Sequence, residues 1–230
     1  MNIEVTVADK QHFTYTRAIC ELIEEAAKAR GTGIAKRKPE YVLTKMQEGK
    51  AIIALADTQL AGFCYIESWD HSRYVANSGL IVASEFRQMG LAKRIKEKAF
   101  ELSREKFPKA KLFGITTSLP VMRINSGLGY KPVTFSELTQ DEVFWAGCKS
   151  CPNYEVLSRN DRKLCLCTGM LYDPAKEAKT TELRSPQQER PKSRWQLFKE
   201  HLARRQSNPI LQRIKDNLFN KVSKKELVKH

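Results

Sequence analysis

Six residues, Arg87-Gln-Met-Gly-Leu-Ala92, join an apolar run to a basic amphipathic one, and their types suit the binding of an anion. Gly90 and Ala92 keep bulk away, so backbone N–H groups can approach a ligand closely, and the helix that follows begins with donors that lack partners. A phosphate group, most simply a pyrophosphate, is what such a junction accepts. A second pattern is thiol chemistry. Cys148, Cys151, Cys165 and Cys167 are separated by two, 13 and one residues. Two close pairs brought together by a loop satisfy the number and softness of ligand that zinc prefers, so a structural zinc site is expected. Free thiols in a small core, or a redox pair, are the alternatives. Glu67, Asp70 and His71 follow a predicted strand and are candidate proton acceptors, set against the plainer reading that they are solvated turn residues.

The elements that must position these groups are readable from periodicity. Asn2 to Ala8 alternates like a half-buried strand, and Ala18, Ile19, Leu22, Ile23 and Ala26 share one face of a helix that Gly31-Thr-Gly33 ends. Pro39 opens a second helix, through Met46. Residues 50–56 and 60–69 read as strands around a turn at Asp57-Thr-Gln59, and a third strand runs from Tyr74 to Val82. Beyond the anion loop, Leu91, Ile95, Ala99 and Leu102 form an apolar stripe, with Lys93, Arg94, Lys96, Glu97 and Lys98 assigned to water. A strand over 111–116, a short helix over 120–128 ending at Gly129, and a strand over 130–135 follow.

From Ser136 the character changes: the cysteine quartet encloses a polar segment that ends at Asp173-Pro174. Residues 175–192 have the composition of a linker. Two amphipathic stretches, one with Trp195, Phe198 and Leu202 and one with Ile210, Leu211, Ile214, Leu218 and Val222, then predict a helical tail. That tail is basic. Residues 177–230 hold 14 Lys and Arg against 6 Asp and Glu, within a chain whose net charge is +14. Such a surface attracts nucleic acid, an anionic membrane or an acidic partner without choosing among them. With 41% hydrophobic and 29% charged residues the chain reads as soluble and globular. Its longest apolar run, Ala51 to Ala56, falls far short of the roughly 20 residues of a membrane span, and no signal peptide opens it, so a cytoplasmic location is expected.

The Arg87-x-x-Gly90-x-Ala92 loop, with Val82 and Phe86 ahead of it and Ile95 behind, resembles the acyl-coenzyme A segment of the GNAT family of N-acetyltransferases. The resemblance spans residues 1 to about 135. It implies an α/β (α+β) fold, a mixed, mostly antiparallel sheet with helices on both faces, to which this chain adds a Cys-rich subdomain (136–174), the linker and the basic tail (193–230). It also implies acetyl-CoA as co-substrate. Leu80, Ile81 and Val82 would line the acyl donor, and Arg87, Gln88, Met89, Gly90, Leu91, Ala92 and Lys93 would hold its phosphates. A neutral amine then attacks directly, with no covalent enzyme intermediate.

Members of the family often protonate the leaving thiol with a Tyr four residues before a Gly-Phe pair. Counting back from Gly129 gives Asn125, which can hydrogen-bond the donor but not supply a proton in that sense. Gly114-Ile-Thr-Thr117, Gly129-Tyr-Lys-Pro-Val133 and Gly33-Ile-Ala-Lys-Arg37 resemble the acetyltransferase domain of N-acetylglutamate synthases. That implies an amino-acid acceptor such as glutamate, as in arginine biosynthesis, with Arg37 and its neighbour Lys36 on a carboxylate and Thr116 or Thr117 assisting. Succinyl or another short acyl group remains open as donor. The competing expectation is a CoA-binding module whose four-cysteine subdomain and tail dock a membrane surface, nucleic acid or protein, with a homodimer also open.

Overall fold

The computed structural model describes residues 2–31 and 36–177. Seven strands form one sheet in the order β1-β2-β3-β4-β5-β7-β6. They are β1 (Ile3–Val7), β2 (Ala51–Ala56), β3 (Gln59–Trp69), β4 (Tyr74–Val82), β5 (Lys111–Thr116), β6 (Lys131–Val133) and β7 (Thr168–Tyr172). Every neighbouring pair is antiparallel except β4 with β5. The sheet is therefore mixed and mostly antiparallel, as expected.

Alternation along the strands sorts side chains to two faces. Ile52, Cys64, Ile66, Val75 and Leu112 point to the face covered by α3 (Leu91–Lys106), whose Leu91, Ile95, Ala99 and Leu102 meet them; α4 (Leu119–Gly127) joins this face through Met122. Ile53, Phe63, Tyr65 and Ile81 point the other way, onto Ile19 and Ile23 of α1 (Thr16–Arg30) and Val42 and Met46 of α2 (Pro39–Gln47). Helices thus flank both faces. Gly31 closes α1 in the left-handed conformation at φ 69°, and Pro39 is the first residue of α2, where its missing N–H costs nothing.

The segment after β6 departs from the expectation of a separate Cys-rich subdomain. It carries two short helices, α5 (Glu142–Ala146) and α6 (Tyr154–Arg159), and then returns as β7, which lies between β5 and β6. Phe135, Leu138, Trp145 and Leu157 pack with Ala76 and Phe113 on the sheet face shared with α1 and α2. The segment is thus an insertion between two strands of the main sheet, packed onto it through a third cluster of buried side chains. The predicted linker beyond Glu177 and the predicted tail lie outside the described residues. No helix of the described residues is long and apolar enough to cross a membrane.

Candidate functional site

The single parallel pair opens the sheet. β4 and β5 are joined only at Tyr74–Ala76 opposite Lys111–Phe113. From Asn77 and Gly114 onward the two strands part, β5 keeping β7 on its far side and β4 keeping β3. A bulge lies on the same stretch of β4. Phe63 pairs with Ile81 and Tyr65 with Ser78, so three steps along β4 face two along β3. Gly79 takes the left-handed conformation at φ 68° there, and a Cβ on it would sit 2.6 Å from Tyr65 Cε1. Only glycine meets both demands.

A cavity of about 660 Å³ runs into this wedge. Asn77, Gly79, Leu80 and Ile81 line one side and Gly114, Ile115 and Thr116 the other. From the α3 face, Lys96 and Asn125 close it. On the opposite face it widens between residues 36–41 and the insertion. Arg37 Nε donates to Tyr65 Oη at 2.8 Å, with its guanidinium 5.7 Å from the ring centres of both Tyr41 and Tyr65. Glu67 stands beside them. Lys45 Nζ is 2.5 Å from Glu67 Oε1, and Tyr41 donates its hydroxyl proton to Glu67 Oε2. Burial, reinforced by Tyr65 and Glu67, holds Tyr41 well above the usual tyrosine range, so it remains a donor.

Three buried side-chain atoms of the described residues have no hydrogen-bond partner: Trp69 Nε1, Asn125 Oδ1 and Asn153 Nδ2. All three residues line this cavity. An unmet buried polar group costs about 1–3 kcal/mol, and all three belong to side chains that wall this one cavity.

Residues 16–120 match the model of the acetyltransferase (GNAT) family. The match spans just under half of the chain. Solved structures agree on the fold. The N-acetylglutamate synthase of Neisseria gonorrhoeae, complexed with coenzyme A and N-acetyl-glutamate, is 14% identical with a TM-score of 0.53. This chain aligns over 75% of its own length but only 35% of that synthase's. Salmonella typhimurium yncA, with its cofactor acetyl-CoA, is 12% identical over 84% of this chain and 99% of that one, at a TM-score of 0.52. Rv2747 of Mycobacterium tuberculosis, in complex with CoA and NLQ, is 16% identical over 74% and 98%, at 0.53. No curated protein matches the sequence.

Within this fold the sequence-predicted residues divide. Arg37, Glu67, Leu80, Ile81, Thr116 and Asn125 line one cavity. Val82 instead packs into the core under α3, and Thr117 is not among the lining residues. His71 and Asp70 lie in the β3–β4 turn, both at positive φ, and line a separate surface depression. The loop over residues 87–90 lies between β4 and α3, as drawn from sequence. Gln88 at φ 64° and Gly90 at φ 75° bracket the exposed Met89, no side chain caps α3, and Arg87 Nε donates to Val82 O at 3.3 Å. Leu91 is buried, whereas Ala92 and Lys93 begin the partly exposed first turn.

The zinc expectation is overturned. Among the described residues no group of three or more His, Cys, Asp or Glu side chains is placed to hold a metal. Cys148, Cys165 and Cys167 pack against the aromatic cluster of the insertion, and all four thiols are free. Burial pushes Cys148 up to about 11, with Cys151 adding to it, and Cys167 up to about 12, with Cys165 adding. They behave as small apolar side chains.

Sequence reasoning missed Tyr41, Lys45, Gly79 and, above all, Lys96. Assigned to water, Lys96 is 2% exposed. The available signal was its company at helical spacing, Ala99 of the stripe at i+3 and Ser103 at i+7, a small residue that widens the buried stripe beyond the four apolar positions.

Proposed function

We propose that the protein is an acyl-CoA dependent N-acyltransferase, acetyl-CoA being its donor by default, acting on the amine of a small acceptor. The observation that carries this reading is a cavity that enters the β4–β5 wedge, walled by three residues that each hold an unpartnered buried polar atom. Leu80 and Ile81 present the pantetheine wall, and residues 87–93 present N–H groups and cations to the phosphates. The Gly79 bulge supplies backbone to polarise the acyl carbonyl, and Glu67 accepts the amine's proton.

The acceptor is proposed to be an amino acid such as glutamate. Arg37, which donates to Tyr65, would take the carboxylate, and coenzyme A together with N-acetyl-glutamate in the Neisseria structure supports the class. Thr116 stands at the same end, its Oγ1 accepting from Ser118 N at 3.0 Å. The reaction is proposed to run in the cytoplasm, with the basic residues 193–230 as an accessory that docks an anionic surface.

Purified protein with acetyl-CoA and an amino-acid panel tests the reading by thiol release and mass spectrometry of products. Transfer to an acidic amino acid is the expected outcome, preserved in a chain ending at Ala178. Absence of thiol release with every amine would remove the enzyme reading.

A further inference from the structure

Departure of coenzyme A leaves a thiolate, and the wedge contains few groups able to protonate it. Asn77, Ser78, Gly79 and Leu80 of β4, Gly114 and Ile115 of β5, and Asn125 of α4 do not titrate in the working range. Glu67, Arg37, Tyr41 and Tyr65, with Lys36 and Lys38, belong to the other face of the sheet, at the acceptor end, as do Tyr154 and the cysteines of the insertion beside Phe113. Lys96 alone among the titratable lining residues enters from the α3 face, where the strands part.

Its setting is unusual for a lysine. Lys96 Nζ donates to Asn77 Oδ1 at 3.3 Å, and Tyr130 Oη donates to the same oxygen at 2.8 Å. Asn77 Nδ2 is spent on Ser103 Oγ at 2.9 Å, which fixes the amide so that its oxygen faces the ammonium. Cys64 of β3, Asn77 of β4, Ser103 of α3 and Tyr130 ahead of β6 are the polar groups facing it, and no described carboxylate pairs with it. A buried lysine normally has such a partner. One donor of three is engaged by Asn77, on the border of a cavity where Asn125 Oδ1 is also unmet.

We propose that Lys96 is the catalytic proton donor to the departing thiolate. This rests on the acyl-transfer reading above. As the amine attacks, the C–N bond forms and the C–S bond breaks. The sulfur's electron pair takes a proton from Lys96 Nζ, the amine's proton leaves toward Glu67, and the neutral Lys96 regains its proton from solvent after the products depart. Desolvation favours this step, because it lowers the ammonium from the ordinary lysine value towards that of a thiol, and the growing negative charge on sulfur draws the proton across.

The test compares wild type, Lys96→Met and Lys96→Arg across pH. Wild-type kcat should fall as pH rises through the lysine's lowered pKa, since the acid is then lost. Lys96→Met should lose about 10²-fold or more in kcat, little in acetyl-CoA KM, and the alkaline limb with it. Lys96→Arg keeps a cation but cannot release its proton, so it should bind CoA and remain as slow. Recovery of turnover by arginine would make the residue a fixed charge and overturn the proposal. So would kcat within about threefold of wild type and an unchanged alkaline limb in Lys96→Met, a smaller loss than one acid normally causes.

Should the variants fail to fold, the wild-type protein decides. The Lys96 13Cε resonance should titrate below the ordinary lysine range and shift when CoA is added, and a signal indifferent to CoA would refute contact with the thiol end. A wild type that neither binds CoA nor transfers would fell the acyltransferase reading, and this assignment with it. Transfer that ignores Lys96 would fell this assignment alone.

Discussion

Gly90 holds φ 75° as N-cap of α3, and a Cβ there would meet nothing within 4 Å. The space is open, so what a substitution changes is conformational strain and charge. Asparagine tolerates the left-handed region, whereas glutamate adds a carboxylate at a helix N-terminus that an incoming pyrophosphate would otherwise hold alone. Gly90→Asn should keep CoA affinity within about threefold, because a few tenths of a kcal/mol of strain barely moves binding. Gly90→Glu should lose about tenfold or more, from a repulsion that reaches about 2 kcal/mol in favourable geometries. Calorimetry separates them, and equal affinity in both variants would show that phosphates bind elsewhere. At this scale the sequence was readable where a residue's conformation follows from its neighbours in the chain, as for Gly90 at the start of α3. It was unreadable where the role comes from across the sheet. Nothing near Lys96 in sequence announces Asn77 or Tyr130, and nothing near Glu67 announces Tyr41 and Lys45.

Gly79 makes the same distinction for elements. The span of β4 follows from its apolar run, and the structure places it at Tyr74–Val82 as expected. The bulge within it does not follow, because it depends on Tyr65 of β3 pressing against the Gly79 backbone. Alanine there must accept φ 68° and a contact 2.6 Å from an aromatic carbon of a side chain 2% exposed. A β-carbon in that conformation costs about 1–3 kcal/mol, and Tyr65 cannot retreat without releasing Arg37. Gly79→Ala should therefore lower the urea midpoint and raise the acceptor KM together. A fall in stability with an unaltered acceptor KM would show that Tyr65 and Arg37 are not coupled to the bulge. β7 escaped prediction for a related reason. Thr168-Gly-Met-Leu-Tyr172 is short and stands beyond a polar, cysteine-bearing insertion, and its strand character comes from partners on both sides, β5 and β6. The quartet was misread by the same logic. Spacing that suits a metal also suits thiols packed under Phe135, Leu138 and Trp145, and only the aromatic cluster decides between them.

For the molecule as a whole, the buried ionisable groups fix how stability responds to alkali. Burial raises Cys64 and Cys148 to about 11 and Cys167 to about 12, and it moves Tyr41 and Tyr130 upward too. In the unfolded chain the thiols ionise near their ordinary value, about 8.5, so above that pH the unfolded state binds fewer protons than the folded one. The stability these groups confer is fully present below about pH 8.5 and is lost as pH climbs through the folded values. Lys96 acts in the opposite sense. Its folded pKa is lowered, so the unfolded state binds the extra proton up to the ordinary lysine value, and stability rises with pH over that interval. Burial raises Cys20 as well, so one lysine opposes four thiols and two phenols. Urea melts should therefore show unfolding free energy falling between pH 9 and pH 10.5, and the fall should steepen in Lys96→Met, where the opposing group is gone. A stability that held level or rose over that range in wild type would mean that the thiols ionise within the fold. The cysteines of the insertion would then face water, not the aromatic cluster that ties the insertion to the sheet.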